Sequence, residues 1–220
     1  MNWLKEFKYK RKAVGFYKKL KKEYGLVKYY LDFKTPFQLL VGTILSAQCT
    51  DERANLVLQE LFKKYKEPKD FANMRIDKLE REIKSAGFYK NKAKAIKGSA
   101  KLLVEKYHGK VPDKMEELLK FPGVARKTAN VILQNAFGKF FGIVVDTHVI
   151  RLSYRLGWTL EKDSKKIEKD LMELFPKKEW EHLPHVLKAH GRKVCKAPVP
   201  ICTECILKKD CPKKGVILLK

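Results

Sequence analysis

The chain has 220 residues, 45% of them hydrophobic, which is enough for one large or two small hydrophobic cores and excludes a disordered chain. Its 49 lysines and arginines outnumber 25 acidic residues. The formal net charge of +24 favours a polyanionic partner, nucleic acid before membrane, over a merely soluble lysine-rich surface. No stretch approaches the roughly 18 apolar residues of a membrane span and no secretion signal is evident, so we expect an intracellular protein without a membrane partner.

The first half of the chain predicts a series of amphipathic and buried helices. Apolar residues recur at helical spacing among lysines from about Trp3 to Tyr24, which predicts a helix that docks on a core. Pro36 favours a helix start, and the apolar residues that follow it up to Ser46 predict a buried helix. Further helices are predicted at 52–65, capped by Thr50 or Asp51, at 76–85 and at 92–107.

Two junctions between these helices carry side chains that can project. Gln48 and Cys49 follow the buried helix, and Phe88 and Tyr89 follow Gly87, which favours a helix C-terminus. A glutamine at such a junction usually bonds nearby backbone groups, and a lone cysteine is usually a small buried apolar residue. An aromatic residue on a basic loop can stack on bases or wedge into a duplex, although covering the core beneath the loop is the commoner use.

Residues 118–133 contain a Pro122-Gly123 turn between two segments of apolar periodicity, which predicts a helix, a hairpin and a second helix. The backbone N–H groups of such a turn and the N-terminus of the second helix would bind a phosphate together. Lys127 lies in the first turns of that helix, where the helix dipole and partial desolvation disfavour the charged amine. Lys127 could therefore act as a nucleophile, because a neutral amine is nucleophilic. The alternative is that Lys127 is an ordinary solvated lysine.

The second half of the chain is also predicted to be helical. Only the Gly-punctuated linker 135–145 has strand-like character, and this run is too isolated to form a sheet. Asp146 would cap a helix that ends near Gly157, and this structural role is the alternative to a chemical one. With further helices at 164–175 and 179–190 and no repeat of fixed period, the sequence predicts an all-α protein with two lobes.

Four cysteines follow one another near the C-terminal end as Cys195-x6-Cys202-x2-Cys205-x5-Cys211. Four thiolates in so short a span can surround one metal centre. Only the middle two form a C-x2-C pair, whereas a structural zinc ribbon usually has two such pairs. The spacing therefore favours a [4Fe–4S] cluster over a zinc ion, and both over disulfides.

These motifs together resemble the endonuclease III family, which are helix-hairpin-helix DNA glycosylases with an iron–sulfur cluster. The resemblance rests on the cysteine spacing and on residues 45–51, 121–129 and 145–148. It extends from about residue 30 to residue 212, and the motifs occur in the order of the family.

The resemblance implies an all-α, two-lobed helix-hairpin-helix DNA glycosylase fold with a C-terminal [4Fe–4S] cluster loop. One helical lobe, residues 30–139, would carry the helix-hairpin-helix motif. The other lobe, residues 1–29 plus 140–220, would carry the cluster, and DNA would lie across the cleft between the two lobes.

The activity that the resemblance implies is that of a bifunctional DNA glycosylase and AP lyase of base excision repair. Such an enzyme acts as a monomer on double-stranded DNA that contains a damaged base or an abasic site, in the cytoplasm or nucleoid of a prokaryote. It removes oxidised or damaged pyrimidines through a lysine Schiff base and nicks the strand 3′ to the lesion by β-elimination.

The resemblance also assigns roles to single residues. Lys127 matches the nucleophile and Asp146 the carboxylate beside it. Gln48 matches a residue that enters the space left by the flipped base, and Phe88 matches the wedge in the duplex. The implied contacts of the hairpin with DNA involve Gly123, Ala125 and Arg126, and the implied cluster ligands are Cys195, Cys202, Cys205 and Cys211.

The chain departs from the family pattern at Ala125, where a second glycine is usual, so we expect the contact between backbone and phosphate to be weaker or displaced. Two alternative functions remain. One is a bifunctional glycosylase for another lesion, such as an oxidised purine. The other is a non-catalytic helix-hairpin-helix DNA-binding protein with structural zinc, which would not need Asp146 downstream of Lys127.

Overall fold

The structure is a computed structural model that describes residues 3–25 and 29–216, with side chains from Tyr9 onward. In these ranges its α-helices are α1 (Trp3–Tyr24), α2 (Pro36–Ser46), α3 (Asp51–Lys64), α4 (Pro68–Asn73), α5 (Ile76–Glu82), α6 (Tyr89–Lys106), α7 (Met115–Leu118), α8 (Arg126–Phe137), α9 (Thr147–Arg155), α10 (Ser164–Leu174) and α11 (His182–Lys193). Short 3-10 helices lie at Lys84–Ala86, Lys177–Glu179 and Cys202–Glu204. The chain ends in an apolar run at 216–219, of which only Val216 lies among the described residues.

Regular structure within the described ranges is wholly helical, which confirms the all-α prediction. The predicted strand-like linker 135–145 forms no strand there, and its first three residues were wrongly assigned, because they form the last turn of α8. Instead, Ile143 and Val145 are buried in a hydrophobic core, which accounts for their apolar character. No helix in the described part of the chain is long and apolar enough to cross a membrane.

Two helix ends differ from the predictions, since α5 ends at Glu82 rather than at 85 and α11 at Lys193 rather than at 190. Two helix starts differ by three residues for local reasons. α6 begins at Tyr89 rather than at Lys92, because Gly87 and Phe88 turn the chain with φ values of 69° and 47° and the helix starts directly after them. α11 begins at His182 rather than at 179, because the preceding residues form the 3-10 helix Lys177–Glu179. The 6-residue α4 was not predicted, since so short a segment shows no helical periodicity.

Residues Tyr29–Lys139 form one compact unit, which contains α2 to α8. Every residue of α2 from Leu39 to Leu45 is buried, because this helix packs on α3, α6 and α8. Its N-terminus is capped by Thr35, whose side chain accepts a hydrogen bond from the Gln38 N–H. The chain reaches the surface directly after α2, where Ala47 and Gln48 are exposed.

The second unit combines residues Met1–Lys28 with Phe140–Lys220. Within it, α1 packs on α10 and α11, and α9 packs on α11. Phe175 lies in its core, with ring centroids 5.6 Å from Tyr17 and 4.9 Å from Trp158. The Tyr17 hydroxyl also donates to the Glu179 carboxylate at 2.8 Å. These contacts attach the N-terminal helix to the C-terminal part of the chain.

Candidate functional site

The hairpin joins α7 to α8 and rests on buried side chains of its own turn. Phe121 and Val124 are 3% and 6% exposed, so they fix the turn from beneath. Gly123 has a φ of +77°, a left-handed conformation that favours glycine. A Cβ at this position would also lie 3.0 Å from the Cβ of Ala95 on α6. Backbone conformation and space both require glycine here.

We expect Gly123→Ala to lower the free energy of unfolding by about 2–3 kcal/mol, which is about 1 kcal/mol more than Gly109→Ala. Gly109 is a matched control: its φ is +75°, but a Cβ there would meet nothing within 4 Å. Only the backbone cost is common to both substitutions. Chemical denaturation of both variants measures the difference, and equal losses would mean that Ala95 imposes no constraint.

α8 begins directly after the hairpin. Its N-cap residue, Ala125, has an extended backbone (φ −87°, ψ 171°) and makes no side-chain hydrogen bond to the first turn. Lys127 is exposed and Arg126 is half-buried. The predicted partial desolvation of Lys127 is therefore wrong, because its position on the first turn of α8 faces solvent. An exposed amine thus lies at the helix end that attracts anions.

Gln48 and Phe88 share an unusual backbone conformation. Their φ values are 50° and 47°, in a region that residues other than glycine adopt only when their surroundings hold them there. Phe88 is 65% exposed and so does not cover the core beneath its loop. Gln48 is exposed as well. Both junctions present an exposed side chain on a constrained backbone.

Lys92, on α6, was not among the predicted functional residues. Its side chain is buried, and Nζ donates hydrogen bonds to the carbonyl oxygens of Leu45 at 2.7 Å and Ala86 at 2.8 Å. Burial lowers the pKa of this ammonium, and an electrostatic interaction with Cys49 opposes that effect. The sequence did contain a signal, because Lys92 shares the buried face of α6 with Ile96 and a charge on an apolar face needs a partner.

Asp146 is the N-cap of α9. Its Oδ1 accepts hydrogen bonds from the N–H groups of His148 and Val149, both at 2.9 Å, which confirms the predicted capping role. Among the described residues, none donates a hydrogen bond to Oδ2. One carboxylate oxygen therefore holds the helix, and the other is available for chemistry.

Two arginines of α9 hold the chain at the first of the four cysteines. Arg151 Nη2 donates to the carbonyl oxygen of Cys195 at 3.2 Å. Arg155 is buried, and its guanidinium donates to the carbonyl oxygens of Lys196 at 2.7 Å and Pro198 at 2.8 Å. These charge-assisted bonds fix the backbone on which Cys195 lies.

The pKa of His185, on α11, is lowered from 6.5 to about 4, first by burial and then by Lys188 and His182. Between these pH values the unfolded chain binds more protons than the folded one, so stability is fully present above pH 6.5 and falls toward pH 4. We expect the Tm of His185→Gln to fall less than that of the wild type between about pH 7 and about pH 4.5. Thermal melts at both pH values test this, and parallel falls would contradict it.

All four cysteines line one largely apolar cavity of the second unit. Burial raises the pKa of the Cys205 and Cys211 thiols, and the neighbouring cysteines raise it as well. Four thiolates would therefore need a compensating positive centre, and soft sulfur ligands in such a cavity suit an iron–sulfur cluster. The cavity brings the four cysteines together without a finished metal-binding arrangement, because among the residues described no three His, Cys, Asp or Glu side chains are grouped so that they could hold a metal ion.

Comparison with known proteins places the chain in a family. The model of the HhH-GPD superfamily base excision DNA repair protein matches residues 41–177. Endonuclease III of Synechocystis sp. is 50% identical over 203 residues, which cover 92% of this chain and 93% of that protein. Endonuclease III of Bacillus subtilis is 47% identical over 83% of this chain and 86% of that protein.

Two solved structures of endonuclease III bound to DNA have the same fold. A non-covalent endonuclease III–DNA complex matches with a TM-score of 0.88 and 40% identity, covering 93% of this chain and 95% of that one. A trapped endonuclease III–DNA covalent intermediate matches equally well, with a TM-score of 0.88 and 40% identity over 93% of this chain and 96% of that one. With relatives at this identity over most of its length, the chain belongs to the endonuclease III family of the HhH-GPD superfamily.

Proposed function

We propose that the protein is a bifunctional DNA glycosylase and AP lyase that removes oxidised or damaged pyrimidines from duplex DNA and nicks the strand 3′ to the lesion. The observation that carries this proposal is the exposed amine of Lys127 in the first turn of α8, directly behind the hairpin. That position combines a phosphate-binding surface with a nucleophile. The relatives include endonuclease III bound to DNA and a covalent endonuclease III–DNA intermediate.

Binding begins at the phosphate backbone. The turn at Gly123 and the first N–H groups of α8 would receive one phosphate, with Arg126 adding positive charge. The net charge of +24 supports a strongly salt-dependent affinity for DNA. Ala125 adds one methyl group beside this phosphate in place of the glycine usual in the family. The DNA partner we propose is a duplex with a damaged base or an abasic site, bound by a monomer inside a prokaryotic cell.

The damaged nucleotide must leave the base stack before it can react, at a cost of about a few kcal/mol. Filling the space that it leaves offsets this cost. The amide of Gln48 can hydrogen-bond the orphaned partner base, and the exposed ring of Phe88 can stack between base pairs. Their constrained backbones support such a role, since side chains that are already positioned lose less entropy on binding.

In the proposed reaction, the exposed amine of Lys127 first loses a proton to solvent and then attacks C1′ of the flipped nucleotide. The N–C1′ bond forms as the glycosidic bond breaks, and the departing base takes the bonding electron pair and a proton. The free Oδ2 of Asp146 stabilises the cationic sugar or takes up the proton of the amine. The sugar ring then opens to a Schiff base, and loss of a C2′ proton expels the 3′ phosphate. Water releases Lys127 at the end.

We also propose that Cys195, Cys202, Cys205 and Cys211 hold a [4Fe–4S] cluster. Such a cluster would cross-link residues 195–211, which contain little regular secondary structure, and would stabilise them as structural metals do in small folds. Arg151 and Arg155 support this by holding the backbone at the first cysteine. A brown protein with iron and inorganic sulfide is expected, whereas stoichiometric zinc without iron would contradict the cluster and favour the zinc alternative.

Borohydride trapping tests the proposed function directly. Incubating the protein with duplexes that each carry one oxidised pyrimidine, one oxidised purine or one abasic site, in the presence of borohydride, should reduce the Schiff base to a stable adduct. We expect adducts with the oxidised pyrimidine and the abasic site, and strand cleavage without borohydride. Preference for the oxidised purine would support the alternative lesion class. DNA binding without adduct or cleavage would support the non-catalytic alternative.

A further inference from the structure

Lys92 makes contacts that connect two separate stretches of the chain. Leu45, which accepts one of its hydrogen bonds, lies three residues before Gln48, and Ala86, which accepts the other, lies two residues before Phe88. Both acceptors are backbone carbonyl groups near the ends of helices, α2 and the 3-10 helix Lys84–Ala86. A single ammonium group therefore joins the two segments that lead into the constrained, exposed side chains.

The same helix also supports the hairpin. Ser99, on α6, donates a hydrogen bond to the carbonyl oxygen of Pro122 at 3.2 Å. A Cβ on Gly98 would lie 3.1 Å from Pro122 Cγ, so the turn packs closely on this part of α6. Since an α-helix is a stiff element, the distance between Lys92 and this support is fixed. α6 is thus a common frame for the hairpin and for the segments of Gln48 and Phe88.

Stability alone does not explain a lysine at this position. Lys92 is only 5% exposed as a residue, so its ammonium loses hydration on folding, whereas a methionine of similar length would fill the same space without that cost. The hydrogen bonds of its ammonium go to backbone carbonyl oxygens and not to a carboxylate. What Lys92 contributes beyond burial is a pair of directed bonds to two backbone carbonyls, which an apolar side chain cannot make.

We propose that Lys92 is a positioning residue that holds the segments of Gln48 and Phe88 at the spacing needed to open the duplex around a lesion. The inference rests on the proposed function, because it takes both side chains to enter the DNA. Lys92 itself touches neither substrate nor reacting atoms. Its role is to fix the two segments relative to the hairpin that binds the phosphate, so that a bound duplex meets both at once.

The activity test compares Lys92→Met with Lys101→Met. Lys101 lies on the exposed face of the same helix, so the second variant makes the same chemical change without touching the two segments. For Lys92→Met we expect excision of a base-paired oxidised pyrimidine to fall about 100-fold. Strand cleavage at a preformed abasic site should fall by less than about 5-fold, because no paired base has to be extruded. Lys101→Met should match the wild type. Equal losses on both substrates would overturn the proposal.

A double variant shows whether Lys92 acts through the wedge. If it positions Phe88, Lys92→Met should cost much less in a Phe88→Ala background than in the wild type. If the activity losses of Lys92→Met and Phe88→Ala were fully additive in the double variant, Lys92 would not act by positioning Phe88. Should Lys92→Met fail to fold, Lys92→Gln serves as the second variant. Its amide can still donate to one of the two carbonyls, and we expect an intermediate loss on the paired lesion.

Amide hydrogen exchange of the free protein separates this proposal from the proposed function. In Lys92→Met we expect exchange in residues 46–49 and 86–88 to accelerate about 10-fold, with the rest of α2 and α6 unchanged. Unchanged exchange in both segments would overturn the positioning role even in an active enzyme. A wild-type protein that neither excises nor cleaves would refute the proposed function, and the exchange result would still decide what Lys92 does.

Discussion

Lys127→Ala is expected to abolish the borohydride adduct and to lower strand cleavage at an abasic site by at least about 10⁴-fold. Removing the nucleophile eliminates the Schiff base, and with it the route to β-elimination. The fold should survive, because the side chain of Lys127 is exposed and alanine favours a helix. The measurement is single-turnover cleavage of an abasic duplex, with the Tm as a check on folding.

Two variants isolate the role of the amine from that of the charge. Lys120→Ala removes a lysine that is 60% exposed and paired with Glu117 at 2.9 Å, close to the same hairpin, and we expect near-normal cleavage. Lys127→Arg keeps the positive charge and hence most of the DNA affinity, but a guanidinium does not become a neutral nucleophile. Cleavage by Lys127→Arg at the wild-type rate would show that Lys127 acts only by binding phosphate.

Asp146→Asn is expected to slow base release about 10²- to 10³-fold while changing the Tm by less than about 2 °C. The change in Tm should be small because only Oδ1 of Asp146 accepts the capping hydrogen bonds. Asparagine caps a helix as well as aspartate does, so its oxygen can accept the two N–H bonds now made by Oδ1. Its NH2 group would replace Oδ2 and remove the negative charge that the reaction needs.

The matched control is Asp163→Asn. Asp163 caps α10 in the same way, with Oδ1 accepting from the N–H groups of Lys165 and Lys166 at 3.0 and 3.1 Å, and we assign it no chemistry. The Asp163→Asn variant should release bases at the wild-type rate. Asp146→Ala should instead lose the cap as well, and with it about 1 kcal/mol of stability. If Asp146→Asn released bases at the wild-type rate, Asp146 would be a structural cap and nothing more.

The features that could be predicted from the sequence are those with a local cause. α2 was predictable because Pro36 marks its start and its residues are apolar on every face. The cap by Asp146 was predictable because a capping carboxylate acts within one turn. The hairpin likewise depends on the short run around Gly123, whose φ no other residue type adopts readily.

The features that could not be predicted depend on contacts between distant parts of the chain. Lys92 is 47 residues away from Leu45 in the sequence, so local sequence patterns could not predict the hydrogen bond between its ammonium and the Leu45 carbonyl. The exposure of Phe88 was decided by the turn at Gly87 and not by the apolar character of its ring. Desolvation of Lys127 was expected from its position on a helix, whereas solvent access depends on what packs around it.

One carboxylate oxygen of Asp146 caps α9 and the other does not, and this arrangement has an evolutionary consequence. A single base change from an aspartate to an asparagine codon would silence repair without exposing the protein to the unfolding that normally leads to degradation. Cells that carry this substitution would accumulate a stable protein that still binds lesions and shields them from other repair enzymes. Selection against that substitution should therefore be stronger than selection against changes that merely unfold the chain.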